Sequence, residues 1–174
     1  MANVPVSGDP PGTPPRQWGN RFANFFALLH TDVEDPRERL AAISASTAEA
    51  KAQLAVQGHD TLNAWLDRMP PAIGRPAARA MVNRSARNTE KADFNVLVSN
   101  VRITARDWRI GGQRIAHPYL SGPPGDDTGL NITVVGYDDL LHVTVVGNPV
   151  TMTDPDEVVD GLHAALEELA ACTA

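Results

Sequence analysis

From Gly129 to Asn148 apolar and polar positions alternate in two short runs around a polar break. Leu130, Ile132 and Val134 fall on one face of the first run, and Asn131, Thr133 and Val135 on the other. In the second run Leu141, Val143 and Val145 alternate with His142, Thr144 and Val146. Tyr137-Asp138-Asp139 between them is short and polar, as a hairpin turn requires. One face is apolar and the other mixed. The pattern therefore predicts a hairpin whose apolar face packs on helices.

Other segments carry other periods. Gly19 to Leu29 holds Phe22, Phe25, Phe26, Leu28 and Leu29, too apolar for a solvent-facing edge, which predicts a strand buried on both faces. Phe94 to Val101 reads as a further buried strand. Asn3-Val4-Pro5-Val6-Ser7 fits a short edge strand, because Pro5 has no amide for a central ladder. Gly8 to Pro15 is a Pro- and Gly-rich turn or loop. Asp35-Pro36-Arg37-Glu38 opens a helix: Asp35 caps, Pro36 suits the first helical position and Glu38 can reach back to the cap amide. Leu40, Ile43, Thr47, Ala50 and Leu54 continue it as a seam at spacings of three and four, and Gly58 stops it.

A second helix is expected from about Thr61, burying Leu62, Trp65, Leu66 and Met69 and ending at Pro70-Pro71. A third runs from Pro76 to about Arg87. Gly111-Gly112 marks a turn, Ile115 to Leu120 a short strand interrupted by Pro118, and Ser121 to Gly129 a loop. Asp154-Pro155-Asp156-Glu157 repeats the helix-start chemistry. Val158, Val159, Leu162, Ala165, Leu166 and Leu169 then form an apolar stripe with His163 beside it. Together these elements make a mixed, mostly antiparallel sheet with helices mainly on one face.

Composition narrows the partners. The chain has 174 residues, of which 43% are hydrophobic and 21% charged, which suits one globular domain. Its net charge of −6 and 5% aromatic content argue against nucleic acid. A single cysteine, Cys172, can form neither an intramolecular disulfide nor a cysteine metal site, which points to a reducing cytoplasm. No apolar run approaches the roughly 20 residues that span a bilayer. The N-terminus has neither the basic nor the apolar region of a signal peptide.

Chemical motifs are sparse. No GxSxG elbow, Walker loop, GxGxxG, HExxH or CxxC pair occurs. Asp126 and Asp127 are adjacent carboxylates without further ligands at regular spacing, so no metal is assigned. A catalytic pairing of His142 with Asp138 or Asp139 is disfavoured, since these residues sit beside a hairpin turn and nothing else in the sequence converges on them.

The resemblance lies in the order of segments. "VPVS", then "GNRFANFFALLHTDVEDPRERLAAISASTAEAKA", "FNVLVSNV", "GLNITVVGYDDLLHVTVV" and "DPDEVVDGLHAALEEL" together resemble the C-terminal domain of bacterial wax ester synthase/diacylglycerol acyltransferases. The resemblance implies the C-terminal lobe of a chloramphenicol-acetyltransferase-like fold, and an acyl-CoA co-substrate with no resident cofactor. The family's active site lies in a channel between two lobes, and its HHxxxDG signature lies in the N-terminal half. None of the five histidines of this chain stands in that pattern. The missing base would take the proton from an acceptor hydroxyl attacking a thioester, and without it that step slows by roughly two to four orders of magnitude. No catalytic residue is therefore assigned. The resemblance implies a partner: a catalytic N-terminal lobe in trans, or a homodimer that covers the exposed lobe face. The alternative is a non-catalytic lipid-binding or interaction module that has lost its catalytic half.

Candidate site residues follow from the resemblance and their places in the pattern. Asn20 either contacts substrate or forms a Gly-Asn turn before its strand. Ser99 and Asn100 match the Ser-Asn of the family's "SNVPGP", although Val101-Arg102-Ile103-Thr104 follows here instead of Val-Pro-Gly-Pro. They can donate into a cleft or satisfy their own chain at a strand end. Asn131 and Thr133, on the mixed hairpin face, complete the substrate-channel candidates. Where the family usually places an Arg after "VPVS", this chain has Gly8-Asp9. Arg75, Arg79, Arg84 and Arg87 cluster in an otherwise acidic chain. They suit the surface of a membrane or lipid droplet, a solvated helix face, or a phosphate of coenzyme A.

Overall fold

The computed structural model describes residues 1–9, 12–14, 18, 21–57, 70, 72–76, 79–80, 94–104, 107–124, 128–152 and 154–172. The chain divides into two compact units, Met1–Phe94 and Asn95–Ala174.

In the first unit β1 (Ala2–Ser7) pairs antiparallel with β2 (Phe22–Ala27), with Pro5 opposite Asn24. Helix α1 (Pro36–Gln57) follows. The Asp35 cap forms as expected: its Oδ1 accepts from the amides of Arg37 and Glu38, each at 2.9 Å. Strand β2 departs from expectation. Phe25 and Ala27 are buried on one face, and Lys51 of α1 lies 5.7 Å from the centre of the Phe25 ring. Phe22 and Phe26 on the other face are 53% and 46% exposed. Apolar residues on both faces therefore do not mean that both are covered. In α1 the seam holds at Ile43, Thr47, Ala50 and Leu54, which are half-buried, but Leu40 is exposed.

Gly58, the expected stop of α1, and the whole second helix from Thr61 to Met69 lie outside the described residues. Helical structure next appears at residues 72–76 and 79–80, starting before Pro76. The Pro70 carbonyl accepts from the amides of Ile73 and Gly74, so the turn begins at Pro70.

In the second unit β6 (Leu130–Tyr137) runs between β3 (Val96–Arg102) and β7 (Leu140–Gly147). It pairs parallel with β3 and antiparallel with β7. A two-residue turn, Asp138-Asp139, closes the β6–β7 hairpin, with Asp138 in the left-handed region at φ 50°. Aspartate tolerates that conformation and it suits the twist of a tight hairpin. Strands β4 (Arg109–Ile110) and β5 (Gln113–Arg114) form a small hairpin around Gly111-Gly112, both at positive φ as the predicted turn needs. Residues 115–120 form no strand. Helix α2 (Pro155–Ala171) is capped by Asp154, whose Oδ1 accepts from the Asp156 amide at 3.0 Å. It packs against β7 but buries no residue completely, and Leu162 and Leu166 of its apolar stripe stay exposed.

The hairpin reverses one expectation. Its best-buried face is the mixed one: Asn131, Thr133, Val135, Tyr137 and His142 are each at most 5% exposed. Its apolar face is more open. Leu130, Ile132, Val134 and Val145 are half-buried, and Leu141 and Val143 are 73% and 41% exposed. Residues 117–123 cross the mixed face as a strap. The His142 ring meets those of His117 and Tyr119 edge-on at 5.4 and 5.2 Å, and Asn131 Nδ2 donates to the Pro123 carbonyl at 3.0 Å.

Candidate functional site

The strand register decides what each candidate faces. Leu97 aligns with Asn131, Ser99 with Thr133, and Val101 with Val135. Across β6, Asn131 aligns with Val146, Thr133 with Thr144, and Val135 with His142. Aligned neighbours share a face. Ser99, Thr133 and Thr144 therefore form a polar row on the mixed face, with Asn131 and His142 beside it. Asn100 points to the opposite face, in a row with Val134 and Val143. Ser99 and Asn100 consequently do not act on one cleft from the same side, because consecutive residues of a strand face opposite ways.

Asn131 and Thr133 are held by internal bonds. Thr133 Oγ1 donates to Asn131 Oδ1 at 3.0 Å, while Asn131 Nδ2 reaches the strap carbonyl. A Cβ at Gly122 would lie 2.9 Å from Asn131 Nδ2, so the strap approaches closely where it has no side chain. In contrast, His142 Nε2 and Thr144 Oγ1 are buried without a protein hydrogen-bond partner. Each such polar atom carries a desolvation cost of about 1–3 kcal/mol. The sequence shows His142 and Thr144 as alternating polar positions. It does not show that Asn131 and Thr133 satisfy each other while these two stay unpaired.

An open groove of about 460 Å³ lies at the hairpin end of the unit, lined by Asn100, Arg102, Ile103, Gly136, Asp138, Asp139, Leu140 and Leu141. Strand β3 continues through Arg102, paired with Gly136, and the Ile103 amide donates to the Gly136 carbonyl at 2.9 Å. Where "SNVPGP" would place two prolines without amide protons, this chain extends its ladder. One rim of the groove is braced. Arg114 Nη2 bonds Asp138 Oδ2 at 2.6 Å, and the Trp108 amide donates to the Tyr137 hydroxyl at 3.3 Å. Arg109 joins through Asp107 at 2.8 Å. These contacts tie the β4–β5 hairpin to the β6–β7 turn. They also engage with arginine the Asp138 carboxylate, one of the two considered as a partner for His142. Among the described residues no histidine is ion-paired to a carboxylate, and no group of three His, Cys, Asp or Glu side chains could hold a metal.

Of the remaining candidates, Arg75 and Arg79 are exposed. Asn20, Arg84, Arg87, Asp126 and Asp127 lie outside the described residues. No helix among the described residues is long and apolar enough to cross a membrane.

Comparison with known proteins accounts for the whole length of this layout. Two Mycobacterium tuberculosis proteins, provisionally named diacylglycerol O-acyltransferases, are similar to it. One is 32% identical over 169 residues, covering 97% of this chain and 35% of the relative. The other is 29% identical over 177 residues, covering 99% and 34%. A Mycobacterium bovis protein with the same provisional name is 30% identical over 152 residues, covering 86% and 33%. The solved wax ester synthase/diacylglycerol acyltransferase of Marinobacter aquaeolei VT8 superposes with a TM-score of 0.61 at 25% identity, over 97% of this chain and 36% of that one. The expected mixed, largely antiparallel α/β class is the one found. The chain spans about a third of the length of the relatives it matches. Residues 18–170 match the family described as the WS/DGAT C-terminal domain, and the chain belongs to that family.

Proposed function

We propose that this chain is the C-terminal lobe of an acyl-CoA-dependent O-acyltransferase of wax ester or triacylglycerol synthesis. It builds one wall of the acyl and acceptor channel and requires a separate catalytic lobe. One observation carries the reading: a match to the C-terminal domain over residues 18–170 in a sequence that contains no HHxxxDG. Exposed large apolar side chains support it: Leu141, Leu162 and Leu166 in the second unit, and Phe22 and Phe26 in the first. Acyl-CoA is the co-substrate in this reading and no resident cofactor is invoked. A peripheral contact with a membrane or lipid droplet through Arg75, Arg79, Arg84 and Arg87 belongs to the same proposal.

The test is acyl transfer from a long-chain acyl-CoA to a fatty alcohol or diacylglycerol. One tube holds the chain alone and another adds a separately expressed HHxxxDG-bearing lobe. Product only in the mixture is expected. Product from the chain alone would overturn the reading.

A second reading is a non-catalytic lipid-binding or interaction module. The continuation of β3 through Arg102, where the family has Pro-Gly-Pro, favours it. Silence in both tubes together with saturable lipid binding would select it.

A further inference from the structure

Strand β7 has β6 on one side, and among the described residues no strand on the other. The hairpin register shows which backbone groups face that open side. The two-residue turn makes Tyr137 and Leu140 a hydrogen-bonded pair, and at the far end the Asn148 amide donates to the Gly129 carbonyl at 2.8 Å. Bonded pairs recur at every second residue, so Leu140, His142, Thr144 and Val146 turn their amides and carbonyls to β6. Leu141, Val143 and Val145 turn theirs outward, and none of these has a hydrogen bond among the described residues. Helix α2 packs against β7 without a bond to them.

An open edge invites a further strand, and proteins ordinarily guard it with charge, proline, a bulge or a short strand. None of these devices is present. β7 is 8 residues long, holds no Lys, Arg, Asp, Glu or Pro, and keeps an unbroken register with β6. Its outward residues add an apolar row, with Leu141 73% and Val143 41% exposed and Val145 half-buried.

The complement of this edge is the same strand in a second copy. Two such edges join antiparallel when their outward residues meet as bonded pairs. Centring the pairing on Val143 sets it against the partner's Val143, and Leu141 against the partner's Val145. The contact is then isologous, because each pair occurs twice about one two-fold axis. Residues 140–146 are all engaged, and no like charges meet. The same register sets His142 opposite the partner's Thr144, and Thr144 opposite the partner's His142. His142 Nε2 and Thr144 Oγ1 are the polar side-chain atoms of β7 that are buried without a bond. Directly opposed residues hold their Cβ atoms about 4.5–5.5 Å apart. Each threonine hydroxyl can therefore donate to the imidazole of the other copy. Centring on His142 or Thr144 instead sets like on like and shortens the overlap.

We infer that β7 is a homodimerisation edge, which joins two copies of this chain into one antiparallel sheet across a two-fold axis at Val143. This goes beyond the lobe assignment and does not rest on it. At concentrations where copies stay apart, each keeps the exposures given above.

The experiment sediments the full chain over a range of concentrations and follows its amide exchange. A concentration-dependent dimer is expected, with slower exchange in the dimer at Leu141, Val143 and Val145 and little change at His142 and Thr144. Val143→Glu should weaken the dimer at least tenfold, since the two carboxylates face each other across the axis. Val143→Lys should do the same, and an equimolar mixture of the two variants should restore the dimer. Circular dichroism checks that both variants fold. A chain that stays monomeric at every concentration overturns the inference. So does a dimer indifferent to both variants, or one whose protection lacks the two-residue period. A dimer weakened by each variant but not restored by mixing overturns the register at Val143. The lobe assignment is decided separately by the two-tube assay.

Discussion

The two faces of the β6–β7 hairpin have opposite compositions and opposite fates. The face with Leu130, Ile132, Val134, Leu141, Val143 and Val145 is wholly apolar, yet it ranges from half-buried to 73% exposed at Leu141. The face with Asn131, Thr133 and His142 is mixed, yet these three side chains are nearly inaccessible. The difference teaches that burial in this unit is decided by what is available as cover. The strap brings a carbonyl and two rings to the mixed face, and the polar side chains there are chosen to meet them. The apolar face has less cover among the described residues.

Substitutions can break this comparison, and the largest effect is expected on the mixed face. Asn131→Leu removes the bond to the Pro123 carbonyl and the acceptor for Thr133 Oγ1, leaving the buried Thr133 hydroxyl and a part-buried strap carbonyl unpaired. A loss of about 2–4 kcal/mol is expected, read from urea unfolding midpoints. A loss below about 1 kcal/mol would mean that the strap does not depend on Asn131. Thr133→Val takes only one bond from the same pair and should cost about 1–2 kcal/mol in the same assay.

Smaller effects follow. Tyr137→Phe deletes the hydroxyl that accepts from the Trp108 amide and should cost about 1 kcal/mol. It should also speed amide exchange at Trp108 itself. Leu141→Lys on the apolar face should stay within about 0.5 kcal/mol for the isolated chain, since the side chain is largely in solvent. A cost of 2 kcal/mol or more there would show that the apolar face is already covered, and the contrast between the faces would collapse.

Local chemistry was legible in the sequence where one or two residues decide it. Asp35 and Asp154 cap their helices, Asp138-Asp139 turns the hairpin, and Gly111-Gly112 turns the small one. The opposite orientations of Ser99 and Asn100 also follow from strand parity once β3 is placed. Cover was not legible. Alternation separates two faces without saying which will be buried, because that depends on segments distant in sequence such as Pro118 and Pro123. The same gap explains Phe22 and Phe26 on β2, where an apolar run predicted burial on both sides and only one side has it. Ile115 to Leu120 carried strand-like residues, but only the Ile115 amide meets a neighbouring backbone, at the Trp108 carbonyl, while His117 and Tyr119 meet a side chain of the sheet face.

Association with a catalytic lobe is the central claim, and sedimentation of the chain with a separately expressed HHxxxDG-bearing lobe tests it most directly. The wild-type chain should form a one-to-one complex, and the Leu141→Lys, Val143→Lys double variant, folded by circular dichroism, should weaken it at least tenfold. A wild-type chain that sediments as a monomer at every concentration and never joins that lobe would contradict the account.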